Sequence, residues 1–221
     1  MEENEWEAVD NYLNAFVLGE DEMLQSVLDA NAAAELPSID VTPTQGRFLT
    51  VICLAAGVRS VLEIGTLGGY STICLARGVG PEGKVLTLER SERHAGVATA
   101  NLERSGLRDR VEIRTGPALE SLAAMEEAAT KETFDLFFID ADKENNPVYF
   151  EAALKFAHPG SIIIVDNVVR GGSVLKDSDD LNDIGTKRLL ETVGGRQNLK
   201  ATVIQTVGAK GWDGFLLATV L

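Results

Sequence analysis

Two cysteines in 221 residues are too few for a stapled scaffold. Both of them, Cys53 and Cys74, stand inside apolar segments. They read as small core residues and point to a reducing compartment. No apolar run approaches the roughly 20 residues that cross a bilayer. The opening Met1-Glu2-Glu3-Asn4-Glu5 lacks the basic and apolar regions of a signal peptide. Basic side chains are scarce: 20 Lys and Arg against 34 Asp and Glu, a net charge of −14. Such a surface repels phosphate backbones and anionic lipids, so neither nucleic acid nor membrane is an expected partner. Repeats, low-complexity segments and linkers are also missing. These absences describe a cytoplasmic protein of one domain, 1–221, large enough to bury its own core.

What is present divides at about residue 57. Before it the pattern is helical. Val9, Tyr12, Leu13, Phe16 and Val17 recur at helical spacing, and Met23, Leu24, Val27 and Leu28 form a second stripe after Gly19. This face either packs on the domain, meets a second subunit or covers a substrate. Thr42 and Pro43 supply an N-cap and a first helical residue for the next helix. From residue 60 strands alternate with helices: Ser60–Ile64, Lys84–Glu89, Val111–Thr115, Phe134–Ile139 and Ser161–Val165. Helical segments lie between them, around Thr72–Arg77, Glu92–Ser105, Ala118–Ala129 and Pro147–Phe156. That order predicts an α/β, doubly wound, mostly parallel sheet. An amphipathic stretch, Asp183–Val193, precedes two last strands, Thr202–Val207 and Phe215–Leu221. The gap between those strands is too short for a helical crossover, so they should pair antiparallel, making seven strands in all.

The stretch from Val61 to Ser71 reads as a buried strand, a glycine turn and the start of a helix. Such a turn at the carboxyl edge of a parallel sheet is where nucleotide-like cofactors bind. Its glycines should allow a tight turn and close approach of a ligand, with Ser71 and Thr72 capping the helix. A dinucleotide fold wants G-x-G-x-x-G, but Leu67 stands where the second glycine belongs. Glu63, two residues before Gly65, suits a cofactor with a cationic amino-acid tail better than a pyrophosphate. Glu63-x-Gly65-x-x-x-Gly69 resembles the acid-x-Gly-x-x-x-Gly pattern of S-adenosylmethionine (SAM) methyltransferases. Glu89 ends the second strand, 24 positions after Gly65, where a carboxylate can bond two ribose hydroxyls. His94, in the helix beyond, reads as a local structural residue. Gly116-Pro117-Ala118-Leu119 makes a small-residue turn at the same edge, placed to lie against an adenine.

The fourth strand runs into Asp140-Ala141-Asp142-Lys143 and the fifth into Asp166-Asn167. Adjacent strands lie about 4.8 Å apart, so Asp140, Asp166 and Asn167 can converge on one cation. Three hard oxygen donors without nearby Cys or His suit Mg²⁺, Ca²⁺ or Mn²⁺ rather than zinc. Beside them Lys143 has a use as a base. A phenol, with a pKa of about 10, is a poor nucleophile until a cation favours its anion and a base takes the proton.

These residues resemble a known family, the class I cation-dependent O-methyltransferases. That group contains catechol O-methyltransferase, plant caffeoyl-CoA O-methyltransferase and small bacterial relatives. The likeness runs from about Val9 to Leu221. It is carried by Val41-Thr42-Pro43-Thr44-Gln45-Gly46, Glu63-Ile64-Gly65-Thr66, Gly69-Tyr70-Ser71 and Gly116-Pro117-Ala118-Leu119. Further carriers are Ile139-Asp140-Ala141-Asp142-Lys143, Asp166-Asn167 through Gly172, and Gly211-Trp212-Asp213-Gly214. The resemblance implies the Rossmann-like SAM methyltransferase fold with N-terminal helices over 1–57. It implies SAM on Val41, Glu63, Gly65, Thr66, Ser71, Glu89, Ala118 and Asp140. It also implies a divalent cation, Mg²⁺ first, on Asp140, Asp166 and Asn167, with Lys143 as base, and a homodimer.

The plant CoA-ester enzymes carry an aromatic residue where Arg170 stands and a tyrosine near Asn146. Arg170 and Asn145-Asn146-Pro147 look like the bacterial branch. The expected acceptor is therefore a small vicinal diphenol: a catechol, caffeate or an ortho-dihydroxy flavonoid. A caffeoyl-CoA-type ester and a catalytically inactive SAM-binding protein stand as alternatives. A nicotinamide oxidoreductase is opposed by the glycine spacing and the terminal hairpin. Trp212 either flanks the acceptor or fills core.

Overall fold

The computed structural model describes residues 3–128 and 132–221. Five strands run parallel: β1 (Ser60–Ile64), β2 (Lys84–Glu89), β3 (Val111–Thr115), β4 (Leu136–Ile139) and β5 (Ile162–Val165). Two longer strands, β6 (Leu199–Gly208) and β7 (Gly211–Val220), form an antiparallel hairpin turned by Ala209 and Lys210 alone. β7 also pairs antiparallel with β5, and the sheet order is β3-β2-β1-β4-β5-β7-β6. The doubly wound sheet of seven strands with an antiparallel hairpin is as the sequence implied. β6 extends beyond both expected ends, and β7 starts four residues earlier than expected and stops one residue short, at Val220. β4, in contrast, starts two residues late. Asp135, expected inside it, turns its carboxylate to the N–H groups of Arg59 and Ser60, at 2.7 and 2.8 Å.

Helices α1 (Glu3–Leu13) and α2 (Glu22–Ala33) are separated by a π-helical turn, Asn14–Leu18, and by Gly19 at φ 67°. Asp21 caps α2, its carboxylate accepting from Leu24 N at 3.0 Å. Helix α3 (Pro43–Ala56) begins as expected, with Thr42 Oγ1 accepting from Gln45 N at 3.2 Å. The crossovers are α4 (Tyr70–Gly78), α5 (Glu92–Arg104), α6 (Ala118–Glu127) and α7 (Asn146–Phe156), with α8 (Leu181–Gly194) before the hairpin. The expected end of α6 at Ala129 lies outside the described residues.

Strand alternation sorts the core into two layers. Leu62, Leu86, Phe137 and Ile163 meet α6, α7 and α8 on one face. Val61, Val85, Phe138 and Ile164 meet α2 through α5 on the other. Phe137 and Phe138 are fully buried on opposite sides. Truncating either to alanine should cost about 3–5 kcal/mol, because packed neighbours refill a cavity only in part. Strand-end hydrogen bonds continue the ladder past the strands: Gly65 N to Leu88 O, Asp140 N to Ile64 O and Asp166 N to Ile139 O, at 2.9–3.0 Å. They align the first residues of three loops along one edge of the sheet.

Candidate active site

A cavity of about 720 Å³ opens at that edge. Gly65, Thr66, Ser71, Glu89, Ala118, Asp140, Lys143, Asn167 and Val41 line it, so the sequence-predicted residues from six segments do meet. Glu63 and Asp166, both buried, are not among its lining residues. A second recess of similar volume, beside α2 and α3, contains the 2.5 Å Asp21–Arg77 ion pair and none of the strand-end residues.

The glycine turn differs from its expected use. Gly65 has φ 103°, and an ideal Cβ there would lie 2.1 Å from the Asp140 carbonyl oxygen. At Gly68 it would lie 1.9 Å from Asn31 Oδ1. At both glycines the missing side chain makes room for neighbouring protein atoms. Nor do Ser71 and Thr72 cap α4. Gly69, at φ 88°, holds the N-cap position without a side-chain bond. Instead Ser71 and Thr72 donate to the two oxygens of Glu63, at 2.6 and 2.5 Å, and Thr87 adds a third bond at 2.7 Å. Thr87 has only one proton, so Thr66 Oγ1 must donate to Thr87 across their 2.6 Å contact. Glu63 is thus an internal anchor for the turn, not a wall of the cavity. Complete burial pushes its carboxyl up to about 7, against the pull of the three hydroxyls and helped by the Asp140 charge.

Glu89 Oε2 accepts from the backbone N–H groups of Thr66 and Leu67, at 3.2 and 2.8 Å. Its Oε1 accepts from Ser91 N at 2.9 Å and lies 3.3 Å from His94 Nδ1. A pyrophosphate would need those turn N–H groups and would meet a carboxylate there instead. Neutral hydroxyl donors suit the same carboxylate. His94 supports Glu89, the local role expected of it.

Asp140 and Asp166 follow residues that are direct partners across β4 and β5, Ile139 and Val165. Burial raises the Asp166 carboxyl, and the Asp140 charge raises it further. Two carboxylates in mutual repulsion, one of them 5 % exposed, are a fitting seat for a cation. The third oxygen is an amide. Asn167 Nδ2 donates to Asp213 Oδ2 at 3.1 Å, and Asn167 Oδ1 has no hydrogen-bond partner among the described residues. Among the described residues no three His, Cys, Asp or Glu side chains converge on a metal position; Asp140, Asp166 and Asn167 offer two carboxylates and one amide carbonyl. That set fits a hard divalent ion. Lys143, 7 % exposed, donates to Asp140 Oδ1 at 2.7 Å.

Trp212 is neither core nor a wall of this cavity. It is 39 % exposed, lies over Gly172 and donates to Gln205 Oε1 at 2.9 Å. Arg170 donates to Asp183 at 3.2 Å. Several contributors escaped the sequence reading. Ile39 and Asp40 form part of the wall beside Val41, and Tyr149 donates to Asp142 at 2.7 Å. Leu67 takes φ 50°, which no residue type announces. Asp213 carried a signal, a lone acid at the start of an apolar strand, but its partners are long-range.

The family model described as O-methyltransferase matches residues 15–207. A catechol O-methyltransferase from Mycobacterium tuberculosis is 51 % identical over 212 residues, 96 % of this chain and 94 % of that protein. A catechol O-methyltransferase from Niastella koreensis is 39 % identical over 216 residues, 97 % of each. The crystal structure of an O-methyltransferase from Bacillus cereus in complex with SAH has a TM-score of 0.97 at 52 % identity, covering 100 % of both chains.

Proposed function

The chain belongs to the O-methyltransferase family, and from that premise we propose that it transfers the methyl group of SAM to one hydroxyl of a vicinal diphenol with help from a divalent cation. One observation carries the reading: β4 and β5 release Asp140 and Asp166 side by side at the edge that also holds the Gly65–Leu67 turn. Glu89 offers a carboxylate for the ribose diol, Ala118 a small surface for the adenine, and Asp140 and Ser71 polar groups for the amino-acid tail. Asp140, Asp166 and Asn167 would hold the cation, Mg²⁺ first.

When bound, SAM would supply an electrophilic methyl and the cation would favour the ionised form of a phenolic hydroxyl. The remaining work belongs to the chain. Lys143 Nζ accepts the phenolic proton, and Asp140 holds that nitrogen in place from three residues upstream. The Glu63 hydroxyl cluster fixes the turn against which the cofactor lies. Relatives named for catechol at 51 % and 39 % identity support a small diphenol. A plant caffeoyl-CoA enzyme matches at 29 % over 61 % of the chain, which does not favour a CoA ester.

The test is labelled SAM with a catechol, caffeate, an ortho-dihydroxy flavonoid and a CoA ester, with and without Mg²⁺. Label should reach the free diphenols, vanish in EDTA and return with Mg²⁺. Full turnover with the metal demonstrably gone removes the cation, and labelling of the CoA ester alone removes the acceptor class.

The proposed assembly is a homodimer through the N-terminal helices. Tyr12, Phe16 and Val17 are 64, 75 and 71 % exposed, and the Tyr12 and Phe16 rings pack in a tilted arrangement with centroids 4.7 Å apart. An apolar cluster of this kind marks an association surface. A small diphenol is the expected partner, with no role for nucleic acid or membrane. No helix among the described residues is long and apolar enough to cross a membrane.

A further inference from the structure

We infer that Asp213 is a positioning residue for the cation seat, setting which atom of the Asn167 amide faces Asp140 and Asp166. The inference rests on the cation reading above and deepens it.

Asp213 is the third residue of β7, the strand beside β5. Its Oδ2 accepts from Asn167 Nδ2 at 3.1 Å. Its Oδ1 accepts from three backbone N–H groups: Arg170 at 2.8 Å, Gly214 at 2.9 Å and Val169 at 3.2 Å. An ionised carboxylate can only accept. The amide must therefore turn its NH₂ toward Asp213 and its carbonyl oxygen away from it. An amide flipped by a half-turn would present N–H groups to the cation, and these are not ligands. With four donors already on it, Asp213 is itself poorly placed to become a ligand.

The same carboxylate holds the loop that carries Asn167. Asn167 and Arg170 both stand in the left-handed region, at φ 57° and 54°. Side chains other than glycine adopt that region at a free-energy cost. The bonds from Val169 N and Arg170 N to Asp213, with Val168 N donating to Gly214 O at 2.9 Å, offset it. One side chain thus fixes both the course of the loop and the sense of the amide. Outer hydrogen bonds of this sort commonly change metal affinity about 10–100-fold when removed.

The experiment measures Mn²⁺ uptake by the chain without SAM or acceptor, following free Mn²⁺ by electron paramagnetic resonance. Asp213→Asn keeps the side-chain shape and one oxygen for the backbone N–H groups, but can donate to Asn167 and invite the flip. Its Mn²⁺ affinity should fall about tenfold or more, while its metal-free melting temperature stays near that of the unaltered chain. The double variant Asn167→Asp/Asp213→Asn should recover affinity to within about threefold of the unaltered chain. A carboxylate at 167 offers oxygen on either side, and the amide at 213 supplies the donor it needs. Asn167→Asp alone sets two carboxylates against each other and should bind Mn²⁺ less well than the double variant. Should Asp213→Asn fail to fold, Asp213→Ser provides the same comparison, with one acceptor for the loop and none for the amide.

Unchanged affinity in Asp213→Asn overturns the inference. So does a double variant no better than the single, since a merely structural role predicts additive loss. An unaltered chain that takes up no Mn²⁺ is a different failure, visible before any substitution, and it sinks the cation reading together with this one.

Discussion

Lys143 Nζ lies 2.7 Å from Asp140 Oδ1, and the two side chains are 8 and 23 % exposed. The pair spans a single short turn between β4 and α7, so neither partner can leave without disturbing the other. One Asp140 oxygen is engaged by Lys143 Nζ and the second takes no part in that contact. A single carboxylate therefore stands between the proposed base and the proposed cation.

Removing either side of that arrangement should stop turnover without emptying the cofactor site. Lys143→Ala deletes the proposed proton acceptor, and Asp166→Ala deletes a proposed cation ligand. Each should lower single-turnover methyl transfer by about 10²–10⁴-fold, the usual worth of a positioned acid–base group. SAM binding measured by calorimetry should change less than about threefold, a small fraction of the free energy lost when a contact is removed. Loss of SAM binding in both variants would show that these residues hold the cofactor instead.

Glu63 gives a pH dependence whose sign follows from its burial. Its ordinary value is 4.5 and its folded value is about 7. A raised carboxyl means the folded chain holds the proton more tightly. Its contribution to stability is present below 4.5 and is lost as pH rises through about 7. The difference is worth about 3 kcal/mol. Glu63→Gln, neutral at every pH, should therefore gain stability over the unaltered chain as pH rises from about 4.5 to 8. Urea midpoints at several pH values test it, and a gap that does not widen with pH refutes the raised carboxyl.

The Glu89 contacts separate two cofactors that bind related sheets. Its oxygens take the Thr66 and Leu67 N–H groups that a pyrophosphate would need. SAM at about 100 times its dissociation constant should stabilise the chain by about 2.7 kcal/mol, and NADH should leave the melting temperature unchanged. Glu89→Ala strips the acceptor from three backbone N–H groups, on Thr66, Leu67 and Ser91, and removes the proposed diol acceptor. It should weaken SAM about 10–100-fold, the size of an unmade charged hydrogen bond. Stabilisation by NADH in the unaltered chain would reject the reading of this turn.

The homodimer proposal has its own readout. Phe16 is 75 % exposed on the π-helical turn and packs at a tilt against Tyr12. A charge there leaves the monomer intact but opposes burial against a second copy. Phe16→Asp should shift the light-scattering mass from dimer to monomer with the melting transition retained at high concentration. A monomeric unaltered chain would remove the proposal.

Sequence pattern carried much of this because it is strong where it is local. The strands β1 and β2 are short, largely apolar runs and β3 alternates apolar with charged residues, and the expected bounds of all three are the observed ones. The strand-end acids follow from those bounds, since a parallel sheet must release its loops at one edge. Patterns failed where a distant partner decides. Nothing near Ser71 in the sequence indicates that Glu63, eight positions back, will take its hydroxyl rather than a helix end. Asp135 left its strand for N–H groups 75 and 76 positions away. The amide sense of Asn167 depends on Asp213, 46 positions further along. Such choices are made by hydrogen-bond accounting in the folded chain, which periodicity does not contain.

Gly68 offers the sharpest check on that accounting. Its missing side chain leaves room for Asn31, 3 % exposed, whose Nδ2 donates to Asp40 Oδ1 at 2.9 Å. Asn101 Nδ2 donates both to Asn31 Oδ1 at 3.1 Å and to Gly68 O at 2.8 Å. These bonds tie α2 and α5 to the turn, and to Asp40 in the cavity wall. A methyl at 68 would lie 1.9 Å from Asn31 Oδ1, so Asn31 must move and its buried bonds must break. Gly68→Ala should cost about 2–4 kcal/mol, combining overpacking with an unsatisfied amide. Asn31→Ala should also destabilise, by leaving the Asn101 amide short of a partner. In the double variant the methyl enters the space that Asn31 vacates. Its loss should fall short of the sum of the two single losses by at least about 1 kcal/mol. Additive losses in chemical denaturation would mean that Gly68 is required by the backbone of the turn and not by the amide packed against it.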